Sequence, residues 1–222
     1  MYKNVIKRLI DLILSTVAII ITAIPMLVIA LAIKIDDPGP VLFKQKRVGK
    51  KINGEMSYFT IWKFRSMKMS APHEIPTYLL ENPYQYITRV GKFIRKTSLD
   101  ELPQIYQVFT GKMSCIGPRP GLWNELDQWN EREKYGANDI KPGITGWAQI
   151  NGRDELDVSE KAKFDGEYTD ALNGGFVKGF LMDLRCFIGT IIYVLKSDGV
   201  VEGGVGELKK NEKNMEELIS KS

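Results

Sequence analysis

The stretch Leu12-Ile-Leu-Ser-Thr-Val-Ala-Ile-Ile-Ile-Thr-Ala-Ile-Pro25-Met-Leu-Val-Ile-Ala-Leu-Ala-Ile33 decides how this chain is built. It carries no charge, and only Ser15, Thr16, Thr22 and Pro25 interrupt its apolar character. As a straight helix of about 22 residues it reaches roughly 33 Å, just enough to cross bilayer hydrocarbon. It lacks the small-residue cleavage site of a signal peptide, so it is expected to stay attached. A single spanning helix is one placement. Two features favour another. Pro25, inside the run, removes a backbone hydrogen bond and crowds the preceding turn. Both flanks are also basic, with Lys3, Lys7 and Arg8 before the run and Lys34, Lys44, Lys46, Arg47, Lys50 and Lys51 after it. Positive flanks stay on the cytoplasmic side, and a helix that crosses once cannot keep both there. We therefore expect residues 1–35 to form a re-entrant helix-break-helix anchor, with Pro25 at the break.

Beyond the anchor, Asp36-Asp37-Pro38-Gly39-Pro40 reads as a turn. Val41–Phe43 and Tyr58–Trp62 read as short strands of a hairpin around the polar turn Lys50–Gly54. Met69–Pro83 contains three prolines and reads as a loop or broken helix. Helical patterns cover Glu101–Phe109, Trp123–Tyr135, Val158–Tyr168 and Phe180–Leu195. The last is apolar enough either to lie in the headgroup region or to pack in the core. The expected fold is α+β and mainly helical, with a catalytic domain over residues 36–206 and a mobile Lys/Glu-rich tail over 207–222.

Composition narrows the chemistry. The chain has 222 residues and a formal net charge of +4. That modest excess suits an anionic membrane surface or phosphate-rich substrates, not nucleic acid. The two cysteines, Cys115 and Cys186, sit in apolar contexts and read as reduced core thiols. His73 is the only histidine, so a multi-histidine zinc site is impossible. No G-x-S-x-G or phosphate-loop motif is present.

The densest chemical signal is Arg95-Lys-Thr-Ser-Leu-Asp100-Glu101-Leu-Pro-Gln104. Ser98-x-x-Glu101 could be a simple capping box. Pro103, however, is comfortable only in a first helical turn, which starts the helix near Asp100. An ionised Asp100 at a helix N-terminus, with Arg95 and Lys96 nearby and a divalent ion, suits phosphoryl transfer. Glu101 lies about 100° further round and must do a different job. In Gly117-Pro118-Arg119-Pro120 the prolines restrain the backbone that presents Arg119, either for bidentate phosphate contact or as a rigid surface loop. In Lys141-Pro-Gly-Ile-Thr-Gly-Trp147-Ala-Gln-Ile-Asn-Gly-Arg153 the glycines permit close approach to a ligand, and Trp147 and Arg153 could hold a base or phosphate. The same stretch could equally be a loop around a core Trp. Trp62-Lys-Phe-Arg65-Ser-Met67 places Lys63 and Arg65 on one strand face, read as solvated or lipid-facing.

These motifs, in this order over about residues 3–200, resemble the bacterial sugar transferases, small monotopic phosphoglycosyl transferases. They include D-D-P-G-P-V-L-F-K-Q-x-R-V-G, W-K-F-R-S-M, S-L-D-E-L-P-Q, G-K-M-S-x-x-G-P-R-P and K-P-G-I-T-G-W-A-Q-I-N-G-R. The resemblance implies transfer of sugar-1-phosphate from a UDP-sugar to undecaprenyl phosphate, with release of UMP and a requirement for Mg²⁺. It implies a bacterial inner-membrane location on the cytoplasmic face, in surface polysaccharide or glycoprotein glycan assembly, with downstream glycosyltransferases as further partners. It makes Asp100 the covalent nucleophile and Mg²⁺ ligand, and Glu101 its partner. Arg65, Arg95 and Arg119 become phosphate-binding residues, Arg65 standing where many relatives have Lys. Arg153 and Trp147 fall in the nucleotide motif. Family anchors are re-entrant. Ile24 departs from the Ser that many relatives place before the proline, so Thr22 or a neighbouring segment is expected to satisfy the freed carbonyl. A glycosyltransferase that moves sugar alone would release UDP, and a non-catalytic adaptor would tolerate loss of Asp100. With a single apolar run, a multi-span transferase is excluded.

Overall fold

The computed structural model describes residues 2–72, 82–152 and 156–196. His73, Arg153 and the 207–222 tail lie outside them. The described chain is mainly helical with two small sheets, as expected for α+β.

A π-helical turn at Tyr2–Ile6 leads into α1, Lys7–Asp36, with Pro25 inside it. α1 is the one helix among the described residues that is long and apolar enough to cross a membrane. The helix does not end at Pro25, so the break expected there is at most a bend. A proline ring keeps a helix-compatible φ, and the flanking turns retain their own hydrogen bonds. Thr22 does not serve the carbonyl that Pro25 frees, because its hydroxyl donates to the Ala18 carbonyl at 2.7 Å. Ser15 and Thr16 likewise turn back to the Leu12 carbonyl, at 3.2 and 2.7 Å, a habit that bends helices.

Both ends of α1 are fastened to the globular body, by different means. At the start, Tyr2 packs with Ile116, Ile140, Tyr168, Leu172 and Cys186. Lys7 and Tyr2 meet Asp183 at 3.0 and 2.6 Å, and Asp11 accepts from Ser114 Oγ and the Cys115 N–H at 2.8 and 2.9 Å. At the far end, Met26, Ile29 and Ile33 pack with Phe64 and Ile94. Burial of such side chains is worth about 1.5–3 kcal/mol each. Between the two ends the helix is bare, with Ile20, Ile21 and Ile24 at 72, 69 and 74% exposure.

The hairpin joins β1, Leu42–Val48, to β2, Tyr58–Phe64, with Leu42 opposite Phe64 and Val48 opposite Tyr58. Lys46 lies 4.2 Å from the Tyr58 ring and 5.3 Å from that of Trp123, binding the hairpin to the next loop. α2, Arg89–Lys96, follows, capped by Thr88 accepting from the Gly91 N–H at 2.9 Å. A Cβ on Gly91 would come within 1.9 Å of the Ser66 carbonyl oxygen, so only glycine lets α2 lie this close to the strand exit.

After α3, Gln104–Phe109, a second sheet pairs β3, Ser114–Ile116, in parallel with β4, Gly143–Thr145. α4, Leu126–Glu133, lies between them in sequence and is shorter than the expected Trp123–Tyr135. The chain then runs through α5, Trp147–Ile150, α6, Val158–Asn173, and α7, Phe176–Lys196. Asp157 and Glu160 form a capping box at the start of α6. Buried Arg132 of α4 meets Asp165 of α6 at 2.7 Å. α7 buries Cys186 and Asp183 but exposes Phe187, Ile188, Ile191 and Ile192. Cys186 forms no disulfide, and burial pushes its thiol up to about 12, so it is inert.

Candidate active site

Asp100 and Glu101 lie in a 3-10 turn, Leu99–Glu101, that precedes α3. This differs from the expected helix start, because Pro103 rather than Asp100 occupies the N-cap of α3. The capping-box reading also fails. Ser98 sits in the left-handed region at φ 55° and its side chain caps nothing. Freed from capping, the Glu101 carboxylate accepts from Lys63 Nζ at 2.8 Å and from Arg119 Nη2 at 2.7 Å. Leu99 and Leu102 pack against the Met26–Ile29–Ile33 cluster, so the far end of α1 helps to position the turn.

Asp100 is treated differently. The residue is only 9% exposed, yet its side chain accepts no hydrogen bond and forms no ion pair among the described residues. Burial pushes its carboxyl above the usual range. Lys63 opposes this most strongly, neighbouring Glu101 adds to the rise, and Arg95 and Arg119 pull it back. Two adjacent carboxylates thus divide the work, Glu101 saturated by cations and Asp100 left with open oxygens beside them.

Three residues around the site were not singled out from the sequence. Lys63 reads as the solvated side of a strand, but it is largely enclosed. Burial lowers its ammonium, Glu101 raises it, and Arg119 lowers it again. Arg47 of β1 reads as a membrane-flank cation, but it points inward. Its guanidinium donates to the Pro120 carbonyl at 3.2 Å and to Gln45 Oε1 at 2.7 Å, while Nε is buried without a partner. Burial and then Arg119 pull Arg47 down to about 10. Gln104, at the start of α3, is also fully enclosed with its Nε2 unpartnered. Alternation along the strand could have placed Lys63. Nothing local marks Gln104.

The other expected residues separate. Arg95 reaches Ser66 Oγ at 3.5 Å and lies within electrostatic range of Asp100. Arg65 is 4% exposed and committed to the turn after α1, donating to the Pro40 carbonyl at 2.6 Å and pairing with Asp37. A guanidinium so engaged clasps the turn. Trp147 packs on the Tyr2–Tyr168 cluster, and its indole N–H donates to Glu167 at 2.8 Å. The core-Trp alternative fits that placement. The glycines around it are also accounted for. A Cβ on Gly143 would stand 2.1 Å from the Gly117 nitrogen, and one on Gly146 would stand 2.2 Å from the Gly117 oxygen. Those glycines let the two loops touch each other, which also fixes the P-R-P loop that carries Arg119.

No cluster of three or more metal-ligating side chains exists among the described residues. The open Asp100 carboxylate nevertheless fits Mg²⁺, which commonly takes one or two carboxylates and completes its shell with substrate phosphates and water.

A buried carboxylate flanked by cations, on a body that carries one long apolar helix among the described residues, has the charge arrangement that phosphoryl transfer calls for. The model of the family described as bacterial sugar transferase matches residues 2–197, and the chain belongs to that family. It is 43% identical to the UDP-glucose:undecaprenyl-phosphate glucose-1-phosphate transferase of Escherichia coli, over 75% of this chain and 36% of that protein. It is 34% identical to the undecaprenyl-phosphate galactose phosphotransferase of Salmonella typhimurium, over 87% of this chain and 41% of the relative. It is 35% identical to the sugar transferase EpsL of Bacillus subtilis, over 88% of this chain and 90% of the relative. The chain therefore spans well under half of the two named enzymes and nearly the whole of the third.

Proposed function

We propose that this chain moves a sugar-1-phosphate from a UDP-sugar to undecaprenyl phosphate through a covalent aspartyl-phosphosugar, releasing UMP. The observation that carries the proposal is the open Asp100 carboxylate, buried within range of Lys63, Arg95 and Arg119. The substrates named for its relatives point the same way.

In the first step an Asp100 oxygen attacks the β-phosphorus. The bond to the bridging oxygen breaks, and UMP departs with that electron pair. In the second step a phosphate oxygen of the lipid attacks the same phosphorus and the Asp100 carboxylate leaves. Arg119 and Lys63, held by Glu101, face the charge that develops on the phosphoryl oxygens, where fixed cations reorganise little. Arg95 extends this cationic wall. Glu101 is saturated and positions these cations. Arg65 acts through the Asp37–Pro40 turn. When bound at Asp100, Mg²⁺ would neutralise donor phosphate charge. Trp147 and Arg153, the latter outside the described residues, remain the proposed nucleotide contacts.

The anchor is proposed to be re-entrant, entering and leaving on the cytoplasmic face. In support, both ends of α1 are fastened to the same body, and Ile20, Ile21 and Ile24 between them are exposed. The bare face of α7 would then lie in the headgroup region.

Incubating the purified chain with a panel of UDP-sugars and undecaprenyl phosphate tests the reading. UMP is expected, and only when a suitable sugar donor is present. Release of UDP would make the chain a glycosyltransferase instead.

A further inference from the structure

Lys3, Arg8, Lys50 and Lys141 converge on a cavity of about 220 Å³ between the start of α1 and the segment entering β4. The space far exceeds the roughly 10–15 Å³ that one ordered water needs. The remaining charges on its wall are already engaged. Lys7 pairs with Asp183 at 3.0 Å, Asp11 accepts from Ser114 and Cys115, and Asp139 faces Lys51 at 3.6 Å and attracts Lys3, which also donates to Asn173 Oδ1 at 3.2 Å. Arg8 donates to the Val108 and Phe109 carbonyls at 2.6 and 2.8 Å, contacts that leave its positive charge uncompensated. The Lys50 and Lys141 side chains have no hydrogen-bond or carboxylate partner among the described residues. Burial and then Arg8 push the Lys141 ammonium below its usual range, with Asp11 pulling back and Lys50 adding repulsion. Like charges crowded round a partly enclosed space are stabilised by an anion between them.

We propose that this cavity binds a phosphate-bearing anion, either a soluble phosphate or the headgroup of an anionic phospholipid. Lys3 and Lys7 immediately precede the apolar run, which puts the cavity at headgroup level if the anchor lies in the bilayer. Basic pockets beside membrane helices take such groups. The site is separate from Asp100. Arg8 holds the C-terminal carbonyls of α3, whereas Asp100 precedes the N-terminus of that helix, about 9 Å of helix away.

The test uses the full chain in neutral detergent. Thermal midpoints are followed against inorganic phosphate at constant ionic strength, and separately against phosphatidylglycerol or phosphatidylcholine in mixed micelles. The variant Lys50→Gln/Lys141→Gln removes two unpartnered ammonium groups and leaves no buried carboxylate orphaned. Lys92→Gln/Lys163→Gln removes the same charge from exposed helix positions. Wild type and the control pair are expected to be stabilised, with apparent affinity at least about five-fold weaker in the cavity variant. A response to phosphatidylglycerol alone assigns the lipid headgroup, and a response to inorganic phosphate assigns recognition of the phosphate itself. Asp100→Asn should leave the response unchanged, which separates this site from the catalytic proposal. No wild-type response to either probe, an equal response in the cavity variant, or an equal loss in the control pair overturns the proposal.

Discussion

Two buried carboxylates in this molecule sit beside cations and are handled in opposite ways. Asp183 of α7 is saturated, accepting from the Tyr2 and Tyr168 hydroxyls at 2.6 Å each and from Lys7 at 3.0 Å. It ties the start of α1 to α6 and α7. Asp100 is equally enclosed, lies within range of more positive charge, and receives none of those bonds. A charge that holds a fold together has its oxygens satisfied, because an unmet buried acceptor costs about 1–3 kcal/mol. A charge kept for chemistry must leave oxygens open, and the fold carries that cost. The difference between the two sites is the physical case for function at Asp100.

The comparison can be broken most directly by substituting each acid. Asp100→Asn is expected to lower product formation by at least about 10³-fold, measured as UMP release, while membrane binding and the circular dichroism spectrum stay unchanged. Asp183→Ala should do the reverse. It strands Lys7 and should cost about 3–5 kcal/mol in denaturant unfolding. Any loss of activity should then track the unfolded fraction. Arg8→Met removes two hydrogen bonds from the solvent-accessible end of α3, and should give a smaller loss of about 1–2 kcal/mol in total by the same measurement.

The smallest effect has an unusual sign. Because burial raises the Asp100 carboxyl, the folded chain holds that proton to higher pH than the unfolded chain does. The group's contribution to stability therefore falls as pH rises from the ordinary carboxylate range through the raised value. Asp100→Asn should melt at or above the wild-type temperature at pH 7, with the gap closing in acid. For the same reason, wild-type activity should fall off in acid with a midpoint above the usual carboxylate range.

Much of this was legible in the sequence, and what escaped did so for definable reasons. The apolar run marks α1, and the hairpin lies where strand residues flank a polar turn, extended to Val48 and Phe64. The Asp100–Glu101 pair stood out because acids, cations and a proline crowd one short stretch. The β3–β4 pairing did not, since three-residue strands have no readable period and their contact depends on Gly117 and Gly143 meeting across the fold. Helix α2 is too short and polar to announce itself. Asp183 was hidden inside a helix read as apolar, and its partners Tyr2 and Lys7 lie more than 170 residues away. That Glu101 is saturated and Asp100 open is invisible to any local pattern, because Lys63 and Arg119 arrive from other segments.

The most direct measurement is the intact mass of the chain after brief exposure to UDP-sugar and Mg²⁺ with no lipid acceptor. The account predicts an added sugar-phosphate that maps to Asp100, disappears on addition of undecaprenyl phosphate, and is absent from Asp100→Asn. A chain that turns over normally with acceptor present, yet never gains that mass from donor alone, would contradict it.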